Sequence, residues 1–358
     1  KVGTISEKVA DGDEDPSDKI TIADFRKMGK HGIKKFLSKD SRPTYCCTAA
    51  WFFKIIELAL LIASMSLFRF GAQAVLMEQD KAFFVMGTTL AATVTTSCLL
   101  LTYMLGHSYT AQNTHLEILL SFLMFTLTMS SGHAAMDTYN TRNAKNLQIM
   151  ANYGFAAGAC AVAVSLVYLA DGRLAVITFF KNRVRSIAAE SETNSPYITF
   201  QYFKNLTCIL KFIQISMAIT AMCLFRFGAK AQLLEGDRAF LFVGALVASI
   251  TITSCLLLAN LLGAFTILRK THVEIVVNLV LFGLLLPAGC VAIMYYTPSN
   301  KEVFMKERAW QQVADLGLGS GISALVGSLA YLLDMAMALN QYFGTRDIVN
   351  RKPLTLMN

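Results

Sequence analysis

Charge is scarce in this chain. Of its 358 residues only 16% are charged while 54% are hydrophobic, and the mean hydropathy is +0.49. A soluble protein carries about 25% charged residues. The apolar residues also fall in blocks, several longer than the ~18–20 residues that span a bilayer as helix. Eight such blocks do not all fit inside a soluble core, so a soluble helical protein is excluded. Proline is scarce too, six in all, and only Pro287 falls inside an apolar block. With no alternation within the blocks, a β-barrel is excluded and helices remain. None of the eight cysteines lies in a loop expected outside the cell, which argues against an extracellular disulfide framework. No nucleotide-binding loop, nucleophile elbow or metal-binding helix motif occurs. No Cys/His spacing fits zinc, and no paired intramembrane histidines fit haem. Neither an enzyme nor a cofactor is expected. Lys1 is not an initiator Met and no signal peptide is apparent, so the chain reads as a processed or trimmed form.

In place of charge there is a repeat. Leu67-Phe68-Arg69-Phe70-Gly71-Ala72 recurs as Leu224-Phe225-Arg226-Phe227-Gly228-Ala229, 157 positions later. The same offset carries Glu78 onto Glu235, Asp80 onto Asp237, Gly87 onto Gly244 and Thr114-His115 onto Thr271-His272. Agreement at one offset over nearly fifty positions marks an internal duplication.

Eight apolar spans are read near 48–68, 82–105, 116–138, 151–180, 207–225, 239–263, 273–297 and 315–342. The expected fold is an all-α integral membrane protein of eight transmembrane helices in two parallel four-helix repeats. Four spans is an even number, so both repeats enter the membrane in the same sense. In the last span the offset grows to 163, where Tyr168-Leu169-Ala170-Asp171 meets Tyr331-Leu332-Leu333-Asp334. Lys and Arg set orientation. The N-terminal tail, the linker (Arg173, Lys181, Arg183, Arg185, Lys204) and the C-terminal end (Arg346, Arg351, Lys352) are all basic, so both termini are expected in the cytoplasm.

The domains read as a cytoplasmic tail over 1–47, a first repeat over 48–185, a cytoplasmic linker over 186–204, a second repeat over 205–342 and a C-terminal tail over 343–358. The net charge of +8 lies mostly on the cytoplasmic segments. It points to membrane lipids and an anionic inner leaflet as partners, not nucleic acid. In the tail Ile22, Phe25, Met28, Ile33, Phe36 and Leu37 fall near helical spacing among lysines. Either an amphipathic helix lies on the leaflet, or the tail is flexible, since Gly29 and Gly32 weaken a helix.

Charged groups inside a bilayer are the first place to look for function. Lys54 matches Lys211, and Asp171 matches Asp334, all toward the cytoplasmic ends of their spans. Pairs Lys54–Asp171 and Lys211–Asp334 are expected to tie the first helix of each repeat to the last; a cation or proton path is the competing reading. On the outer face Arg69 is followed by Glu78 and Asp80, and Arg226 by Glu235 and Asp237. Each hairpin thus carries a compact charged cap, a first choice for a contact surface, unless the arginines merely snorkel.

Gly154 with Gly158, and Gly317 with Gly321, form Gly-x-x-x-Gly in spans four and eight, expected to pack helices within each repeat. Cys46 and Cys47, beside span one, are either palmitoylated or ordinary interfacial thiols. His115 and His272 are each followed by an acid two positions on, Glu117 and Glu274, which the dipole favours at a helix start.

On these residues each half resembles the small four-span, MARVEL-like membrane proteins of arthropods typified by snakeskin. The first span has an early Lys and closes on aromatic-Arg-x-Gly, here Lys54 to Phe68-Arg69-Phe70-Gly71 and Lys211 to Phe225-Arg226-Phe227-Gly228. The fourth ends Tyr-Leu-x-Asp, at Asp171 and Asp334. The resemblance covers about 50–342, once per repeat, and implies a smooth septate junction. The doubling and the long charged tail depart from that pattern. Claudin-like proteins would show a Trp and two cysteines in the first outside loop, and tetraspanin-like proteins a long Cys-rich second one; both features are missing.

The expected function is structural: a multi-pass scaffolding protein, in the plasma membrane and at a cell junction, packing laterally as a homo-oligomer or with other membrane proteins. The alternative is a small-solute transporter or channel with a site between the repeats. Its midplane would offer Thr95, Thr96, Ser97, Thr253 and Ser254, hydroxyls that otherwise bond to their own helix backbone.

Overall fold

Apolar runs of this length in lipid satisfy their backbone by intrahelical hydrogen bonds. The computed structural model describes residues 49–72, 77–107, 115–140, 148–189, 206–228, 236–264, 272–297 and 308–351. Among these described residues there is no strand. The first half comprises α1 (Ala49–Ser66), α2 (Gln79–Thr102), α3 (His115–Tyr139) and α4 (Gln148–Ala189). The second comprises α5 (Leu206–Cys223), α6 (Gly236–Ala259), α7 (Val273–Tyr296) and α8 (Arg308–Arg351). All eight are long and apolar enough to cross a membrane, and the chain is an all-α, multi-pass membrane protein. The tail over 1–47, Cys46, Cys47 and Glu235 lie outside the described residues.

Two helices run further than their apolar blocks. α4 reaches Ala189, inside the expected linker, and α8 reaches Arg351, inside the expected C-terminal tail. Lys and Arg, frequent in both extensions, are good helix formers. The next prolines, which discourage helix before them, come only at Pro196 and Pro353.

Four helices end in a wide π-helical turn, and these come in matched pairs. Leu67–Ala72 closes α1 as Leu224–Gly228 closes α5; Tyr103–His107 closes α2 as Asn260–Ala264 closes α6. Both copies of the doubled Leu-Phe-Arg-Phe-Gly stretch therefore fold alike. Phe68 and Phe225 turn inward to full burial, while Phe70 and Phe227 point out.

Within the first half the helices close a ring, with α2 and α4 each packed on both α1 and α3. The second half repeats this, with α6 and α8 each packed on both α5 and α7. The halves meet chiefly through α2 and α6. In the most apolar windows of these two helices 67% and 72% of residues are buried, against 28–44% in the other six, so α2 and α6 form the centre. One core cluster crosses the seam there. Phe83 of α2 meets Phe225 and Phe240 edge-on, with ring centres 6.4 and 5.6 Å apart.

Small residues set the closest approaches. A Cβ on Gly244 would stand 2.4 Å from Leu90 across the seam, and one on Gly87 3.3 Å from Val247. Gly154 and Gly158 pack against Tyr139 and Met136 of α3, and Gly317 and Gly321 against Tyr296 and Ile293 of α7. Both Gly-x-x-x-Gly pairs thus lie against a helix of their own half. The opposing surfaces hold a second matched pair, Gly132 and Gly289. Their carbonyl oxygens would lie 2.8 and 3.1 Å from a Cβ at Gly158 and Gly321.

Gly158→Ala is therefore expected to lower the thermal midpoint in detergent, at an overpacking cost of ~1–3 kcal/mol. Gly283→Ala, whose Cβ would meet nothing within 4 Å, should leave it unchanged. Equal midpoints for the two variants would refute this packing of α4 on α3.

Candidate functional site

Each half encloses a polar cluster to which all four of its helices contribute. In the first, α1 supplies Lys54 and Glu57, three positions apart and so on one face of the helix. Lys54 is 0% exposed; its Nζ lies 2.6 Å from Asp171 Oδ2 of α4 and 3.0 Å from Glu57 Oε2. From α2, Thr96 meets the Tyr168 hydroxyl of α4 at 2.5 Å and donates to Glu57 at 3.4 Å. From α3, Ser121 donates to Asp171 at 3.4 Å. The Lys54 ammonium also sits 5.5 Å over the Tyr168 ring.

The second half repeats the frame with different chemistry. Lys211 of α5 lies 2.6 Å from Asp334 Oδ2 of α8 and donates to Asn278 Oδ1 of α7 at 2.9 Å. Asp334 also accepts from Asn278 Nδ2 at 3.1 Å and from Gln214 Nε2 at 3.3 Å. The Tyr331 hydroxyl meets Thr253 at 2.5 Å and Ser249 at 2.6 Å. Gln214 occupies the position of Glu57, and Asn278 that of Ser121. The first cluster therefore sets one ammonium between two carboxylates, and the second sets one ammonium against one carboxylate and two amides.

Nearby lies another matched pair of buried acids. Glu117 accepts a hydrogen bond from the Tyr103 hydroxyl, and Glu274 accepts one from Asn260 Nδ2 at 3.2 Å. The helix dipole alone does not account for these acids, since both are buried with specific donors. The adjoining histidines stack in matched fashion, His115 on Phe179 and His272 on Tyr342, with ring centres 4.6 and 4.7 Å apart.

The caps depart from the sequence expectation. Sequence neighbourhood groups Arg69 with Glu78 and Asp80, and Arg226 with Glu235 and Asp237. In the structure the partners are exchanged: Arg69 pairs with Asp237, and Arg226 with Asp80. Each arginine reaches the other half, so the two caps clamp the seam from both sides. Lys81, 3.8 Å from Glu78, keeps a partner within its own hairpin. The exchange brings the ends of α1 and α5 and the starts of α2 and α6 together at one end of the bundle.

No protein-family model, curated protein or solved structure matches the chain. The reading of the clusters therefore rests on their geometry. Every charge in them has an opposite charge or a hydrogen-bond donor, and the Thr96 and Thr253 hydroxyls bond to tyrosines rather than to their own helix. Among the described residues no group of His, Cys, Asp and Glu is placed to hold a metal. The chemistry these clusters support is cohesion: in hydrocarbon, a paired charge holds its two helices together.

Glu57 is the residue that sequence comparison between the repeats passes over, because its counterpart Gln214 carries no charge. It divides the two clusters experimentally. Lys54→Met strands two buried carboxylates and Lys211→Met one, and each is expected to cost ~3–5 kcal/mol of stability. Exchanging both partners, Lys211→Asp with Asp334→Lys, should restore folding, because the neighbouring amides tolerate either sign. The same exchange at Lys54 and Asp171 should fail unless Glu57→Gln is added, since the new aspartate would face Glu57. Thermal unfolding of the purified variants reads each case. Rescue in the first half without Glu57→Gln would contradict the assignment.

Proposed function

We propose that the chain is a structural membrane protein, a stiff block of two four-helix bundles that packs laterally with copies of itself or with other membrane proteins. The observation that carries this reading is a ridge repeated on the outside of both halves. Phe52, Ile55 and Ile62 stand exposed along α1, and the repeat offset places Ile209, Phe212 and Ile219, also exposed, along α5. A block with two like ridges offers neighbours two like contacts, and such contacts extend into rows when they do not close on themselves. Lipid tails are as apolar as the ridges, so shape and van der Waals packing would drive the association. The placement at a septate-type junction of the plasma membrane rests on the snakeskin-like motifs at Lys54, Arg69 and Asp171 and their copies.

The transporter reading draws on the same buried charges. Its site would use the midplane hydroxyls between the repeats, and the space beside Thr95 is small. The cavity lined by Thr95, Cys98, Leu120 and Leu256 holds about 10 Å³, the space of about one water. The Thr95 hydroxyl there bonds to the Ala91 carbonyl at 2.8 Å, as an ordinary helix threonine does.

Chemical crosslinking in native membranes should give a ladder of dimers and higher species, shortened by Phe52→Ala with Phe212→Ala. A dispersed monomer under the same treatment would overturn the reading. Reconstituted vesicles should hold small-solute gradients; a flux abolished by Thr253→Val would favour the transporter instead.

A further inference from the structure

Around one crevice on the seam the side chains differ between the halves. The crevice lies between α2, α5 and α6, encloses about 330 Å³ and has Arg226 and Asp80 among its lining residues. Phe83, Thr88, Phe225, Val243, Val247 and Thr251 form its walls. At the equivalent positions across the seam the side chains are larger or wholly apolar: Met86 for Val243, Leu90 for Val247, Val94 for Thr251 and Ala245 for Thr88. On that side Phe240 packs into a cluster with Met65, Leu67, Phe68 and Met86. Smaller side chains on α6 widen the space on this side.

Two hydroxyls line this space without a partner. Thr88 is 1% exposed and Thr251 8%. Neither has a hydrogen-bond partner among the described residues. By contrast Thr89, Thr93, Thr95 and Thr102 on the same helix as Thr88 each bond to the carbonyl four residues back. A hydroxyl that faces an apolar crevice gains from an acceptor on a ligand there. Thr88 lies eight positions along α2 from Asp80, ~12 Å from the charged end at 1.5 Å per residue.

We propose that this crevice is a binding site for one zwitterionic glycerophospholipid. It opens between membrane-spanning helices, where lipid is the surrounding solvent. Its volume, about 330 Å³, has room for part of an acyl chain. The Arg226–Asp80 pair presents both signs of charge to a headgroup. The guanidinium has five donors, enough to hold Asp80 and a phosphate together. The Thr88 hydroxyl then donates to an ester carbonyl below the phosphate, and the acyl chain runs along Phe83, Val243 and Val247. The phospholipid leaves Thr251 without a partner.

The test is to purify the full chain from native membrane in mild detergent and identify bound lipid by native mass spectrometry. About one phospholipid should stay with each wild-type chain. Val243→Met with Val247→Leu copies the first half's side chains into the second. It should bring bound phospholipid down to the level of a detergent blank, with the thermal midpoint unchanged or raised. Thr88→Val, nearly isosteric, should retain clearly less phospholipid than wild type, and it decides the matter if the filled variant does not fold. The proposal is overturned if wild type carries no phospholipid, if it carries a sterol instead, or if the properly folded variants retain as much phospholipid as wild type.

Discussion

A lysine and an aspartate sealed in hydrocarbon cannot part without leaving a bare charge behind, and each half of this protein is closed by one such pair. Lys54 on α1 meets Asp171 on α4, and Lys211 on α5 meets Asp334 on α8, each at 2.6 Å and out of reach of solvent. The first and last helices of a four-helix ring are the ones that chain connectivity leaves unjoined. The ion pair supplies that closure. Around it, Thr96 joins Tyr168 to Glu57 in the first half, and Asn278 and Gln214 bond the pair in the second, so that one local constraint draws in all four helices of the first half.

The seam between the halves works differently. Its arginine pairs are partly exposed, and exposed ion pairs are worth ~0–1 kcal/mol. They fix register more than they supply adhesion. Adhesion comes from the core that crosses the seam and from the matched glycines on α2 and α6, which let two central helices approach closely. The exchange of partners is reciprocal, Arg69 with Asp237 and Arg226 with Asp80: each half's arginine reaches the other half's aspartate.

Much of this was legible in the residues. Long apolar blocks with little charge dictate helices in lipid. A duplicated Lys and a duplicated Asp near span ends point to pairing, and duplicated small residues point to close packing. Three features were not legible for physical reasons. Glu57 has an uncharged counterpart in Gln214, so a search for repeated charges misses it. Nearness along the chain groups each arginine with the acids of its own hairpin, whereas packing of α2 on α6 brings the distant acid closer. The helical extensions of α4 and α8 lie where apolar periodicity ends but helix propensity continues, so hydropathy alone marks the edge of the hydrocarbon and not the end of the helix.

Two bundles joined side by side, with like ridges on α1 and α5, would serve as a building block in the proposed structural role. Imaging of native membranes at low resolution, with the protein labelled, tests this most directly. The account predicts rows or patches with a regular spacing between particles. Isolated particles scattered at random, at the natural abundance of the protein, would contradict it.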